Sequence, residues 1–246
     1  MSVFQSRPQR PIWGGWITGP TLIGPEEFAG AGYDYVGFDT QHGYLDDADV
    51  AKILRRLENV PIATAVRLPN ADPAPIGRVL DAGADAVIIA MIESPEQAAA
   101  AVAATRYPPN GVRSFGPLRA GLGHDPAVLE SRAGVFAMIE TAAAAADVEA
   151  ICAVPGLTGI YVGPADLAIS MGVGPVGALR DPQVLDAIKR IHRATAAAGL
   201  VTGIHGSAGK AGNALAKLGF QMITLASESQ ALRRGAAEHL REASAE

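Results

Sequence analysis

Charged side chains in this chain fall repeatedly at the ends of short apolar runs, the place where chemistry belongs if those runs are parallel strands. Asp39 closes Tyr-Val-Gly-Phe-Asp and His42 follows it; Arg67 closes Ala-Thr-Ala-Val-Arg; Glu93 follows the run ending at Met91. Glu140 closes Val-Phe-Ala-Met-Ile-Glu, and Asp166 lies three residues beyond Gly-Ile-Tyr-Val-Gly. Two carboxylates brought to one mouth by neighbouring strands repel each other unless a cation separates them. A hard cation such as Mg²⁺ or Mn²⁺ takes one or two carboxylates and fills its octahedron with water and substrate oxygens. Spacing leaves a second reading open, with Asp166 a helix N-cap and Glu140 an ion-pair partner.

Arg67 offers a planar guanidinium that can grip a carboxylate through two parallel hydrogen bonds, in a substrate or in a structural ion pair. His42, in Asp-Thr-Gln-His-Gly, is a loop residue that titrates near neutral pH and could move a proton directly or through water. Asp81 stands near the end of a helical segment, where the helix dipole disfavours an acid. It either caps or faces solvent, or reaches inward to orient His42. No lysine lies at a strand end: Lys52, Lys189, Lys210 and Lys217 fall in helical or loop segments, which disfavours a Schiff-base route. The run Gly203-Ile-His-Gly-Ser-Ala-Gly-Lys-Ala lacks the glycine spacing of a phosphate loop, although His205 could border a pocket.

The elements that must position these groups are eight apolar runs: Trp13–Thr18, Tyr35–Asp39, Ala63–Val66, Ala86–Met91, Val135–Glu140, Gly159–Gly163, Leu200–Ile204 and Met222–Ala226. Each is short, apolar on both faces and followed by enough chain for a crossover helix, which predicts a (β/α)8 TIM barrel as one domain over residues 1–246. An N-terminal tail of about residues 1–10 and a C-terminal helix of about 229–244 flank it. A doubly wound open sheet is the structural alternative. Glycines in AGYDYVGFD, AGADAVIIA, PGLTGIYVG and LGFQMITLA mark helix-to-strand junctions, and Ser94-Pro95 and Asp181-Pro182 mark helix starts. The Pro- and Gly-punctuated segment 107–123 reads as a long loop over a barrel mouth.

The 246 residues suit one barrel. A net charge of −5 with scattered basic residues excludes a nucleic-acid footprint and favours a small-molecule substrate. The single cysteine, Cys152, sits in an apolar run and predicts a buried thiol in a reducing cytoplasm. No apolar stretch reaches the roughly 18 residues of a membrane span, and the polar start lacks a signal-peptide core.

At the level of motifs, the chain resembles the HpcH/HpaI aldolase family, within the larger group of citrate lyase β subunits and malyl-CoA lyases. The resemblance runs over about residues 10 to 240. It rests on Phe38-Asp39-Thr40-Gln41-His42-Gly43, Val66-Arg67, Val79-Leu80-Asp81-Ala82-Gly83-Ala84, the run from Ala104 through TRYPPNGVR to Arg113, Ile139-Glu140-Thr141 and Val162-Gly163-Pro164-Ala165-Asp166-Leu167. It implies a class II pyruvate aldolase using Mg²⁺, Mn²⁺ or Co²⁺, with Glu140 and Asp166 as metal ligands. By the same likeness, Arg67 binds substrate, and His42 and Asp81 form an acid–base dyad. Asp39, Gly163, Pro164 and Ala165 join the substrate pocket, as does Met138, which replaces a glutamine found in several members. The likeness also implies a homo-oligomer, commonly a hexamer, whose subunits help close each other's sites.

The expected reaction is reversible aldol cleavage or addition between pyruvate, or a relative such as hydroxypyruvate, and an aldehyde entering from the side of the 107–123 loop. An acyl-CoA lyase of the malyl- or citramalyl-CoA type is the nearby alternative, disfavoured by the short chain and the lack of a basic cluster. A non-catalytic barrel that binds a keto acid is the alternative from another class.

Overall fold

Eight parallel strands, each paired with the next and the last with the first, close into a barrel. The structure is a computed structural model that describes residues 3–4, 8–21 and 23–245, so the predicted N-terminal tail falls partly outside the described residues. In chain order the elements are β1 (Ile12–Ile17), α1 (Gly24–Gly30), β2 (Tyr35–Asp39), α2 (Asp47–Arg56), β3 (Ala63–Leu68), α3 (Pro73–Asp81), β4 (Ala86–Ile89) and α4 (Pro95–Thr105). There follow α5 (Pro126–Arg132), β5 (Gly134–Ile139), α6 (Ala142–Ala146), α7 (Val148–Cys152), β6 (Gly159–Val162) and α8 (Pro164–Ser170). The chain closes with α9 (Pro182–Ala197), β7 (Val201–His205), α10 (Gly209–Lys217), β8 (Met222–Ser227) and α11 (Glu228–Ala243). All eight runs are strands, within two residues of the predicted ends. The fourth stops at Ile89, not Met91, because the chain turns at Met91, whose φ is +53°.

The glycines at the four junctions do what their positions require: Gly32, Gly83, Gly156 and Gly219 have φ between +85° and +103°, a region costly for any residue with a Cβ. Ser94 and Asp181 cap α4 and α9 by accepting from Gln97 N and from Gln183 and Val184 N.

Strand alternation divides the core into two layers. Outward residues such as Val36, Phe38, Val66, Val135, Ala137, Ile160 and Val162 pack under the helices. Inward residues, including Trp16, Tyr35, Ala65, Phe136, Met138, Tyr161 and Met222, fill the barrel. The same alternation that turns Tyr35, Ala65 and Met138 inward turns Asp39, Arg67 and Glu140 inward at the C-terminal ends of the strands. The barrel axis is not wholly apolar, since the Tyr35 and Tyr161 hydroxyls each meet Thr224 Oγ1, at 2.8 and 2.6 Å.

Two expectations are corrected. The 107–123 segment is indeed largely irregular, but it connects α4 to α5 and packs at the opposite end of the barrel. Leu118 N donates to Asp81 O and Arg119 pairs with Glu58, both in connections that lead into strands. It therefore cannot guide an aldehyde into the mouth of its own barrel. Asp81, the last residue of α3, lies at that same far end. About six strand residues at 3.3 Å each separate the two ends, roughly 20 Å, so Asp81 cannot orient His42 of the same chain. Its carboxylate instead accepts from Arg113 Nη2 at 2.6 Å.

The C-terminal helix is present as α11, but none of its residues is buried. Among the described residues, no helix is long and apolar enough to cross a membrane. Cys152 is a buried free thiol.

Candidate active site

A cavity of about 600 Å³ opens at the C-terminal end of the barrel, and on its wall stand Asp39, His42, Arg67, Met138, His205 and the segment Gly163–Asp166. Its deepest polar feature is a buried ion pair. Arg67 donates to Asp39 through Nε (2.9 Å, Oδ1) and Nη2 (2.5 Å, Oδ2), with both side chains almost wholly buried. Asp39 also accepts from Trp16 Nε1 at 3.1 Å and from the backbone N–H groups of Gln41 and His42 at 3.1 and 2.9 Å. Burial alone would raise the Asp39 carboxyl, but the Arg67 hydrogen bonds and charge, the His42 N–H and the indole outweigh it and hold it below the usual aspartate value. One carboxylate thus fixes the guanidinium and starts the turn that carries His42. Both open readings of Arg67 are therefore compatible, since a guanidinium held by Asp39 still fronts the cavity.

Glu140, the residue after β5, is 2% exposed. Its Oε1 accepts from the backbone N–H of Met91 at 2.8 Å. It stands one layer behind the cavity wall, against Gly163, where a Cβ would come within 2.8 Å of Glu140 Oε2. Burial raises its carboxyl above the usual glutamate value; the Met91 N–H opposes this and the negative charge of Asp166 adds to it. The helix-cap alternative for Asp166 does not hold: the N-cap of α8 is Gly163, and Asp166 sits in the first turn of that helix. Among the described residues neither Glu140 nor Asp166 has an ion-pair partner, and the two stand near enough for the charge of Asp166 to act on the Glu140 carboxyl. No group of three or more His, Cys, Asp or Glu suited to a metal exists among the described residues. A two-carboxylate set, with remaining positions open to water and substrate, fits Mg²⁺ or Mn²⁺ better than a metal that demands nitrogen or sulfur.

His42 is exposed on the rim, near enough for its charge to be felt by Glu140. Glu93, singled out from the sequence, is exposed and absent from the cavity wall; its N–H is taken by Gln97 Oε1. The four lysines lie on α2, α9 and α10, and none is on the wall.

Three contributors were not foreseen. Trp16, at the end of β1, donates to Asp39, and its ring lies 5.6 Å from the Arg67 guanidinium carbon. The clue in the sequence is its place near the close of the run Trp13–Thr18, but it carries no charge to set it apart from its apolar neighbours. The Met91 N–H that holds Glu140 is a backbone group with no side-chain signal. Pro175, Val176 and Ala178–Arg180, between α8 and α9, form part of the wall. His205 was noted only as a bordering residue; it packs edge-on against Trp16, and burial and the positive charge of Arg67 lower its pKa to about 4, so it is neutral at physiological pH.

Residues 14–234 match the profile of HpcH/HpaI aldolase/citrate lyase. The chain is 36% identical over 241 residues to a hydroxypyruvate/pyruvate aldolase of Rhizorhabdus wittichii, covering 96% of this chain and 95% of that protein. It is 33% identical over 232 residues to a 4-hydroxy-2-oxovalerate aldolase of Rhodococcus jostii, covering 89% of each. Among solved structures, an HpcH/HpaI aldolase/citrate lyase family protein from Burkholderia cenocepacia superposes with a TM-score of 0.89 at 31% identity, over 98% of this chain and 97% of that one. Sequence, barrel and cavity agree, and the chain belongs to the HpcH/HpaI aldolase/citrate lyase family.

Proposed function

We propose that this protein is a divalent-cation-dependent aldehyde-lyase that forms and breaks a carbon–carbon bond between pyruvate, or a close 2-oxo acid such as hydroxypyruvate, and an aldehyde. The observation that carries this reading is a pair of neighbouring carboxylates without ion-pair partners among the described residues, Asp166 on the cavity wall and Glu140 just behind it, beside a guanidinium locked in place by Asp39. The names of the relatives, pyruvate and 4-hydroxy-2-oxovalerate aldolases, support the same class of substrate.

Glu140 and Asp166 would hold Mg²⁺, Mn²⁺ or Co²⁺, which when bound supplies Lewis acidity toward the oxygens of the 2-oxo acid. Arg67 binds and orients that acid and offsets the negative charge that grows on its keto oxygen. Met138, Gly163, Pro164 and Ala165 shape the floor on which it lies. In the cleavage direction His42, directly or through a water, takes the hydroxyl proton of the aldol. The oxygen's electrons then form the aldehyde carbonyl, the C3–C4 bond breaks, and its electron pair remains as the enolate of pyruvate, which takes a proton at C3. Addition runs through the same steps in reverse.

Asp81 can serve His42 only from a second copy of the chain. Val112, Phe115 and Leu118, on the segment tied to Asp81, are exposed apolar surface, as are Leu232 and Leu240 on α11. These support a homo-oligomer, a hexamer by family resemblance. The buried free Cys152 suits the cytoplasm.

The test is exchange of pyruvate methyl protons with D₂O, followed by NMR. Exchange is expected with Mg²⁺, Mn²⁺ or Co²⁺, and not with a chelator or in Glu140→Ala. Exchange that persists unchanged under either condition refutes the reading.

A further inference from the structure

A carboxylate, not an apolar face, seats the start of α11. Every described residue of that helix after Glu228 is exposed, and Glu228 alone is half-buried. Its side chain points into the turn that follows β1. Oε1 accepts from Gly19 N at 2.9 Å, and Oε2 lies against Gly24, where a Cβ would come within 2.8 Å of it. Burial raises the Glu228 carboxyl above the usual glutamate value, and the groups that oppose this are neutral donors: the N–H groups of Gly19 and Thr18 and the Thr21 hydroxyl. The carboxylate therefore holds backbone, not a cation.

The turn it holds touches the one that carries His42. The β1–β2 ladder ends at Ile17 and Phe38 and the β1–β8 ladder at Trp16 and Ser227, so past this level contacts between loops must fix the chain. Thr18 O accepts from Tyr44 N at 2.8 Å. Gly43 permits the approach, since a Cβ there would stand 2.5 Å from Thr18 O and 3.2 Å from Thr18 Cα. On the other side of His42, its own N–H donates to Asp39 Oδ1 at 2.9 Å. The His42 turn is thus gripped at both ends, by Asp39 and by Thr18, and Thr18 directly precedes the N–H that Glu228 holds. Because His42 is exposed, packing does not fix its ring, and the backbone of its turn must.

We propose that Glu228 is a positioning residue for His42, acting across the turn after β1, so that the first residue of α11 sets the place from which the histidine moves its proton. This role rests on the aldolase reading above, in which His42 takes the hydroxyl proton of the aldol. Without the carboxylate, Gly19 is freed, Thr18 loosens and the His42 turn drifts; a drift on the order of 1 Å costs up to about 100-fold in rate. Glu140 and Arg67 are held by other groups, the Met91 N–H and Asp39, and keep their places.

The test uses the full chain with Mn²⁺ and measures kcat and KM for addition of pyruvate to acetaldehyde, with Mn²⁺ sites counted by calorimetry so that rates refer to folded protein. In Glu228→Ala, kcat should fall about tenfold or more. The KM for pyruvate and the Mn²⁺ affinity should stay within about twofold, since their groups are held independently. Glu228→Gln keeps an oxygen for the Gly19 N–H and should regain most of kcat. In a His42→Ala background, Glu228→Ala should change kcat by less than about twofold, because the group it positions is gone. Amide hydrogen exchange followed by mass spectrometry needs no turnover: the peptide holding Gly43 and Tyr44 should exchange several-fold faster in Glu228→Ala, and peptides over Glu140 and Asp166 should not. An unchanged kcat in Glu228→Ala, an equal loss in the His42→Ala background, or unchanged exchange at Tyr44 overturns the proposal. Pyruvate proton exchange in wild type reports separately on the aldolase reading, and if that reading falls, exchange at Tyr44 still decides whether Glu228 holds the His42 turn.

Discussion

Removing the Asp39 carboxylate tests whether the floor of the cavity is built as described. In Asp39→Ala, Arg67 loses two charge-assisted hydrogen bonds and its only counter-ion among the described residues, while Trp16 and two backbone N–H groups lose an acceptor. The Asp39 and Arg67 side chains are 2% and 9% exposed, so water cannot readily replace what is lost. Breaking a buried pair by removing one partner costs about 3–5 kcal/mol, chiefly because a charge is left uncompensated. For a chain of this size that is a fall of roughly 6–20 °C in Tm. The double variant Asp39→Ala/Arg67→Met should regain much of the loss, since the stranded charge is gone. Acid dependence provides a second check. A carboxyl held below its ordinary value stabilises the fold above pH 3.8, and that contribution is lost as pH falls from there through the lower folded value. The gap between wild type and Asp39→Ala should therefore be full at neutral pH and narrow below about pH 4. Circular dichroism melts and urea midpoints across pH measure it. A loss under about 1 kcal/mol, or a double variant no better than the single, would refute the argument.

Gly163→Ala would place a Cβ 2.7 Å from Met138 Cε, 2.8 Å from Glu140 Oε2 and 3.0 Å from Glu140 Cβ, and only the methionine end can easily yield. The Glu140 carboxylate must shift, and Mn²⁺ affinity by calorimetry should fall about 10- to 100-fold, as when groups supporting a metal ligand are disturbed. His205 should titrate near pH 4 by NMR, and its neutral burial costs stability as pH falls from 6.5 toward 4, so His205→Phe should flatten the pH dependence of stability across that window. Thr224→Val removes the hydroxyl shared by Tyr35 and Tyr161 and should cost about 1–3 kcal/mol by urea denaturation, with Tyr161→Phe in the same background recovering part of it.

The barrel was legible because apolar strands and glycine junctions obey local rules that leave a mark at every repeat. Asp39, Arg67 and Glu140 were legible for the same reason, since alternation and strand ends fix both the direction and the height of a side chain. Asp81 was not, because its position follows from which end of the barrel a helix terminus occupies. The 107–123 loop was recognised as a loop from its prolines and glycines but placed at the wrong end, since punctuation says nothing about the direction of the preceding helix. Trp16 and the Met91 N–H escaped because an indole in an apolar run reads as core and a backbone donor has no letter.

What positions the site is a pairing of large and absent side chains across neighbouring staves. Tyr35 stands level with Gly14, Trp16 with Gly37, Phe136 with Gly159 and Tyr161 with Gly203. In each case a Cβ on the glycine would fall within 2.7 Å of the facing ring. Each of these four rings thus has a bare neighbour on one side, which makes room for the aliphatic side chain that Phe136 and Tyr161 meet on the other, Ile88 and Met138 respectively. Glu140 and Gly163 continue the β5–β6 register one step past Ile139 and Val162, and they repeat the pairing of Phe136 with Gly159 two inward layers below, with a carboxylate in place of the ring. The bare position at Gly163 therefore makes the room that the Glu140 carboxylate occupies. On this account Gly37→Ala, beneath the site, should act through packing. Its Cβ would stand 2.3 Å from the Trp16 ring, and displacing that ring withdraws the indole N–H from Asp39. The expected result is a loss of about 1–3 kcal/mol in stability together with weaker pyruvate binding, while the Mn²⁺ affinity of Glu140 and Asp166 stays within about twofold. A variant that lost metal affinity as steeply as Gly163→Ala would show that the layers are not independent and that the pairing rule does not explain the site.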